Sequence, residues 1–308
     1  MYQKSIEEAK KRLFRGELVI FPTETVYGIG GNANNRKSIE LIYKTKNRPI
    51  NNPLICHFAN MEEIEKNFIL KDKDYELANT FWPGPLTLIL EKKINSMISP
   101  LLSNNKNQVG CRIPNNKISL SLLSIIDFPI AAPSANIATR TSVTSIEDLD
   151  YKLKEIFYID GGSSVLGLES TVIKTTENGC KILRLGSLTI EDIKIKFPKY
   201  EISIDQSDVS PGNQLKHYSP IKPIRINVNF VNKNETLLNF GINELTSDIK
   251  SLNLSVEENL SDASYNFYNY LNILDNISCN GIAVAPIPDQ GLGKTINDRL
   301  RRASYKDE

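Results

Sequence analysis

Apolar residues recur at helical spacing at the start of the chain. Ile6, Ala9, Leu13 and Phe14 fall on one face, which predicts a helix over 5–14. The stretch 17–21, continuously apolar from Leu18 and stopped by Pro22, reads as a strand. The same alternation continues. Helices are predicted over 36–45, 61–67, 72–82, 146–155 and 189–196. Strands are predicted over 54–58, 86–90, 108–114, 168–173 and 181–186, with one beginning near 129 and a strand and turn over 157–162. Trp82-Pro83-Gly84-Pro85 stops a helix and turns the chain, and Trp82 reads as a core anchor. Strands alternating with helices predict an α/β domain. Short strands without helices between them predict a mixed sheet. Residues 205–222 break the periodicity and have the composition of a linker. A strand over 223–229, a helix over 260–277, a strand over 281–287 and a helix over 294–305 then predict a small Rossmann-like α/β domain. The expected organisation is 1–204, a linker at 205–222, and 223–308.

Composition narrows the class. The chain has 308 residues, 40% of them hydrophobic, enough for one large or two unequal domains. A net charge of +1 excludes a bulk field pulling the molecule onto nucleic acid or membrane, though not a local basic pocket. Cys56, Cys111, Cys180 and Cys279 lie far apart, without a paired motif or a histidine at ligand spacing. They read as free buried thiols in a reducing compartment rather than a zinc site. The first residues lack the apolar core of a signal peptide, and no apolar run reaches about 18 residues. The expectation is a soluble, cytoplasmic protein with no membrane partner.

Candidate chemistry centres on residues 44–57. Arg48 precedes Pro49, which biases it towards extended backbone. Residues two apart then point the same way, so Lys46 and Arg48 are expected to aim two cations at one spot. Asn52 and His57 follow, and the stretch reads as a site for phosphate and carboxylate groups or as a solvated basic loop. In Pro22-Thr23-Glu24-Thr25-Val26-Tyr27-Gly28-Ile29-Gly30-Gly31, glycines follow hydroxyl-bearing residues, so backbone could approach a ligand. Gly28-x-Gly30-x-x-Ala33 resembles a dinucleotide fingerprint but lacks the acidic residue about 20 positions on. Gly293-Lys294-Thr295 resembles the end of a phosphate loop, but Pro288 stands where its first glycine is needed. Arg112 and Arg184 each sit in an apolar strand. A buried guanidinium requires an anion, either a structural carboxylate or a ligand. Ser134 and Asn136 are two apart in a loop, where such residues usually satisfy local turns. Arg299, Arg301 and Arg302 read as a solvated helix face.

Six motifs then occur in order: Pro22-Thr23-Glu24-Thr25-Val26-Tyr27-Gly28; Lys46-x-Arg48-Pro49; Asn52-Pro53-Leu54-x-x-His57; Trp82-Pro83-Gly84-Pro85-Leu86-Thr87; Ser134-x-Asn136; and Glu169-Ser170-Thr171-Val172. Together they resemble the YrdC-type threonylcarbamoyl-AMP synthases. Ser210-Pro211-Gly212, His217-Tyr218-Ser219-Pro220 and Gly291-Leu292-Gly293-Lys294-x-Ile296-Asn297-Asp298-Arg299-Leu300 resemble the long, two-domain form. The resemblance implies a twisted mixed-sheet α/β catalytic domain with a concave basic pocket. It implies that L-threonine, bicarbonate and ATP give threonylcarbamoyl-AMP and pyrophosphate, the product passing to a tRNA threonylcarbamoyl-transferase complex. Magnesium is implied with the ATP, with no metal ligand from protein side chains. Matched by motif, Thr25, His57, Arg112, Ala132 and Ser170 resemble the threonine-binding set. Lys46, Arg48, Asn52, Gln108, Ser134, Asn136, Ser142, Arg184 and Tyr218 resemble the ATP-binding set. Lys46 and Arg48 are the residues expected to carry catalysis. Tyr218 and the linker resemble a flap closing over ATP. At Gln108 the family more often has a small hydroxyl residue. The alternative reading is an RNA-binding module using the same pocket without adenylation chemistry.

Overall fold

A computed structural model describes residues 2–205 and 218–305. Most of the expected linker, including Ser210-Pro211-Gly212 and His217, lies outside the described residues.

The first helix, α1 (Tyr2–Phe14), buries Ile6, Ala9 and Leu13. Phe14, expected on that face, is exposed and meets Phe128 edge-on. The strands that follow are β1 (Val19–Phe21), β2 (Gly28–Asn32), β3 (Ile55–His57), β4 (Phe68–Ile69), β5 (Leu86–Lys92), β6 (Gln108–Arg112), β7 (Ile130–Ala131), β8 (Thr171–Thr175), β9 (Gly179–Arg184) and β10 (Glu201–Ile204). They run across one sheet in the order β1-β2-β7-β3-β6-β5-β8-β9-β10, with β4 added on β5. The pairs β3–β6, β5–β8 and β9–β10 are parallel and the others antiparallel, so the sheet is mixed as expected. The helices α2 (Arg36–Lys46), α3 (Met61–Asn67), α4 (Asp72–Phe81), α5 (Lys117–Ser124) and α6 (Ile190–Lys196) connect the strands. Trp82 sits in the main core and donates from Nε1 to Leu86 O.

Three local departures have physical causes. The glycines of β2 form an internal strand rather than a loop, and Gly28 alone of them lines the cavity described below. A Cβ at Gly30 would stand 2.4 Å from the Ile130 side chain and 2.7 Å from that of Phe21, so the missing side chain makes room for the protein's own core. The helix expected over 146–155 is replaced by two short 3-10 turns, Ile146–Asp148 and Tyr151–Leu153. Asp150 accepts from Lys152 N there, a local bond that competes with a continuous helix. Finally, β8 begins at Thr171, so Leu168, Glu169 and Ser170 precede the strand.

The remaining residues form a second sheet, β11 (Ile224–Arg225), β12 (Glu235–Asn239), β13 (Ser251–Asn253) and β14 (Gly281–Val284), with α7 (Leu260–Asp275) and α8 (Leu292–Ala303). Its order is β11-β14-β12-β13 and every pair is parallel, the Rossmann-like pattern anticipated. β12 and β13 come from an asparagine-rich segment with no clear period. Buried Glu235 in β12 is paired with Arg225 at 2.6 Å, which is how a charged residue fits a buried strand. The core of this part also takes in Val26, Leu168 and Tyr218, so packing crosses the expected domain boundary. Among the described residues, no helix is long and apolar enough to cross a membrane.

Candidate active site

The site is assembled from chain ends and connections. Thr25 and Val26 come from the β1–β2 connection, His57 from β3, Arg112 from β6, Ser134 from the loop after β7, Ser170 from just before β8, and Arg184 from the end of β9. All line one cavity, together with Arg48, Ala132, Glu169 and Tyr218. Three guanidinium groups therefore meet at one place.

Each guanidinium is held by specific oxygens. Arg112 donates from Nη1 to Thr25 Oγ1 at 2.9 Å and from Nε to Gly84 O at 3.2 Å, and its Nη2 lies 2.7 Å from Glu24 Oε1. Buried Arg112 is thus ion-paired with a structural carboxylate, Glu24, while it still lines the cavity. Arg184 donates to Ser170 O from Nε at 3.2 Å and from Nη2 at 2.7 Å, and also to Ser170 Oγ at 3.1 Å. Ser170 Oγ in turn shares a hydrogen bond with Thr87 Oγ1 at 2.8 Å. Arg48 donates to Asn52 O and Pro53 O, both at 3.0 Å, and to Asn52 Oδ1. Burial pulls Arg48 down to about 10, which leaves it charged at neutral pH.

His57 is opposite in character. It pairs in register with Arg112 across β3–β6. Burial, then the Arg112 charge, lowers its pKa to about 3, so the imidazole is neutral. Its Nδ1 is buried without a hydrogen bond among the described residues.

Two expectations fail on geometry. Lys46 is the last residue of α2, and Asn47 caps the helix at φ 51, so Lys46 and Arg48 do not share an extended segment. The Lys46 ammonium is buried and donates to Ser134 O at 2.6 Å and to Asn136 O. It fastens the loop behind the cavity wall instead of lining the cavity with Arg48. Burial, and then the Arg48 charge, lowers its pKa well below the usual lysine value. Gln108 lies at the far end of β6, about 13 Å along the strand from Arg112 at the usual rise. It accepts from Lys174 Nζ at 3.2 Å and lines a neighbouring cavity with Lys106 and Lys181, divided from the first by Pro53 and Ile55, which line both.

Asn52, Asn136 and Ser142 stand one layer behind. Asn52 holds Arg48, and the Asn136 Oδ1 accepts from Ser134 Oγ. Ser142 Oγ donates to Glu169 Oε1 at 2.5 Å. Asn136 also donates to Ile137 O and Arg140 O, which fixes the loop's turn.

Sequence reasoning missed Glu24, Glu169, Tyr268 and Arg299. Glu169 Oε1 also accepts from Tyr268 OH at 2.8 Å, and Oε2 accepts from Arg299 Nε at 2.9 Å. Burial alone would raise the Glu169 pKa, but Arg299 and then Arg184 outweigh it and hold it at about 2. Arg299 is fully buried, which corrects the solvated-face reading, whereas Arg301 is exposed. The signal was periodic: Arg299 falls with Ile296, Leu300 and Ala303 on the buried face of α8.

The comparisons with known proteins agree along the whole chain. A family described as "Telomere recombination", covering Sua5, YciO and YrdC, matches residues 11–186. A second, described as "Threonylcarbamoyl-AMP synthase, C-terminal domain", matches residues 188–304. The chain belongs to the Sua5/YrdC family of threonylcarbamoyl-AMP synthases. A relative named threonylcarbamoyl-AMP synthase from Pyrococcus abyssi is 33% identical, covering 98% of this chain and 96% of its own. One of the same name from Bacillus subtilis is 32% identical, covering 97% and 92%. The crystal structure of P. abyssi Sua5 complexed with L-threonine superposes with a TM-score of 0.86 at 31% identity, covering 99% of this chain and 95% of that one. Family membership decides for an enzyme over a binding module, and it accounts for both parts of the chain.

Proposed function

We propose that the cavity binds L-threonine beside ATP and joins them, through bicarbonate-derived CO2, into threonylcarbamoyl-AMP. The observation that carries this reading is the convergence of Arg48, Arg112 and Arg184 on one cavity in a chain of this family. The neutral threonine amine adds to CO2, an N–C bond forming as a C–O π bond opens, and one N–H proton goes to solvent to leave a carbamate. Its oxygen attacks the α-phosphorus of ATP, a new P–O bond forms, the bond to the β-phosphate oxygen breaks, and pyrophosphate leaves. Nucleophile and electrophile are both anionic, so charge must be offset before they meet. Arg112, Thr25, His57, Ser170 and the backbone at Ala132 take the amino acid. Arg48, Arg184, Ser134 and Tyr218 take the nucleotide, and Lys46, Asn52, Asn136 and Ser142 hold that wall in place. A hydrogen bond to a charged group contributes about 1.5–3 kcal/mol. His57, held neutral with a pKa of about 3, is too weak a base to draw protons at neutral pH, so catalysis rests on positioning and electrostatics.

Magnesium enters this reading on the ATP phosphates. Among the described residues, no group of three or more metal-ligating side chains occurs, and both oxygens of Glu169 are engaged. The product would pass, in the cytoplasm, to a tRNA threonylcarbamoyl-transferase complex. The test is pyrophosphate release from ATP with L-threonine and bicarbonate supplied or withheld. Release that needs both supports the reading, and equal release without threonine refutes it.

A further inference from the structure

The cavity read as taking two anions carries a carboxylate, Glu169, in its wall. That charge opposes phosphate binding unless something offsets it. The offsetting group comes from the other domain. Arg299 on α8 binds Glu169 Oε2 at 2.9 Å and donates to Leu185 O, the residue after Arg184, at 2.7 Å. Its guanidinium also lies over the Tyr218 ring, 4.5 Å from the centroid. Glu169 is faced by Arg299 from α8, Arg184 from β9, Tyr268 from α7, Tyr218, and the hydroxyl of Ser142.

We propose that Arg299 is a positioning residue for the adenylation site, neutralising the Glu169 carboxylate so that Arg184 and Arg48 face the nucleotide phosphates without a competing anion. The second domain is then part of the catalytic unit rather than an appendage. The inference rests on the ATP reading of the cavity.

The experiment uses the full chain and measures kcat and the KM values for ATP and L-threonine. Arg299→Met takes from Glu169 its ion-pair partner, while Asp298, the other carboxylate on Arg299, keeps Arg302, and it raises the KM for ATP at least about tenfold, with a smaller change in the KM for threonine. Arg299→Lys restores a positive group without the planar fork over Tyr218, and its KM for ATP falls between those of Arg299→Met and the unmodified protein. Glu169→Gln combined with Arg299→Met removes both charges and recovers most of the loss, since a neutral pair tolerates burial. In Arg299→Met the carboxyl loses its strongest charge partner and its pKa rises. A double variant no better than Arg299→Met, or a folded Arg299→Lys as impaired as Arg299→Met, overturns the proposal. If Arg299→Met does not fold, the lysine and double variants decide alone. Failure of threonine-dependent turnover in the unmodified protein sinks the reading of the site. Normal turnover there, with variants insensitive to charge, sinks only the role of Arg299.

Discussion

Acidification from pH 7 to pH 5 should destabilise the ligand-free protein by a definite share through His57. His57 has a pKa of about 3 when folded against an ordinary value of 6.5, burial being the larger cause and the Arg112 charge the second. The folded value is depressed, so the unfolded chain takes up a proton between pH 6.5 and 3 that the folded chain refuses. The stabilisation is present above pH 6.5 and is lost as the pH falls towards 3. Integrated from pH 7 to pH 5, the loss is about 2 kcal/mol, a large share of an ordinary domain's 5–15 kcal/mol, roughly. Buried Lys46, whose pKa is also depressed, contributes with the same sign, so the His57 part is isolated by comparison with a His57 variant. Urea unfolding at pH 7, 6 and 5 on the unmodified chain and on His57→Gln measures the term. The unmodified protein should lose about 2 kcal/mol more than the variant over that range. Equal slopes in the two proteins would refute the reasoning, because the imidazole would then be charging without cost in the folded state.

Two further outcomes follow from the site. Arg48→Ala should lower kcat about 10²–10³-fold, the scale for losing one pre-organised donor. Steady-state pyrophosphate release checks this, and a change below about threefold takes Arg48 out of its role. Gln108→Ala should change the KM for ATP by less than about threefold, since its partner is Lys174 on another cavity. A tenfold rise would return Gln108 to the nucleotide site.

Local pattern fixed much of this protein. The spacing of Ile6, Ala9 and Leu13, the stop at Pro22, and the strand–helix alternation follow from side-chain period and backbone restriction, which need no partner. Those same local rules made Arg112 and Arg184 conspicuous, because a guanidinium in an apolar strand demands an anion wherever it folds. Which anion it meets is a long-range fact. Glu24 reaches Arg112 across 88 positions and Glu169 reaches Arg299 across 130, and no local rule links such positions. Tertiary packing also separated the two cations of the Lys46-x-Arg48 motif. A left-handed Asn47 ended α2 between them, sending one into a loop's carbonyls and the other to the cavity. Arg299 went the same way: its helix face was periodic, but only the packing of α8 against Glu169 turned a basic cluster into part of the site. Sequence determined which groups had to be paired; the fold alone decided with what, because burial and distance are properties of the assembled core.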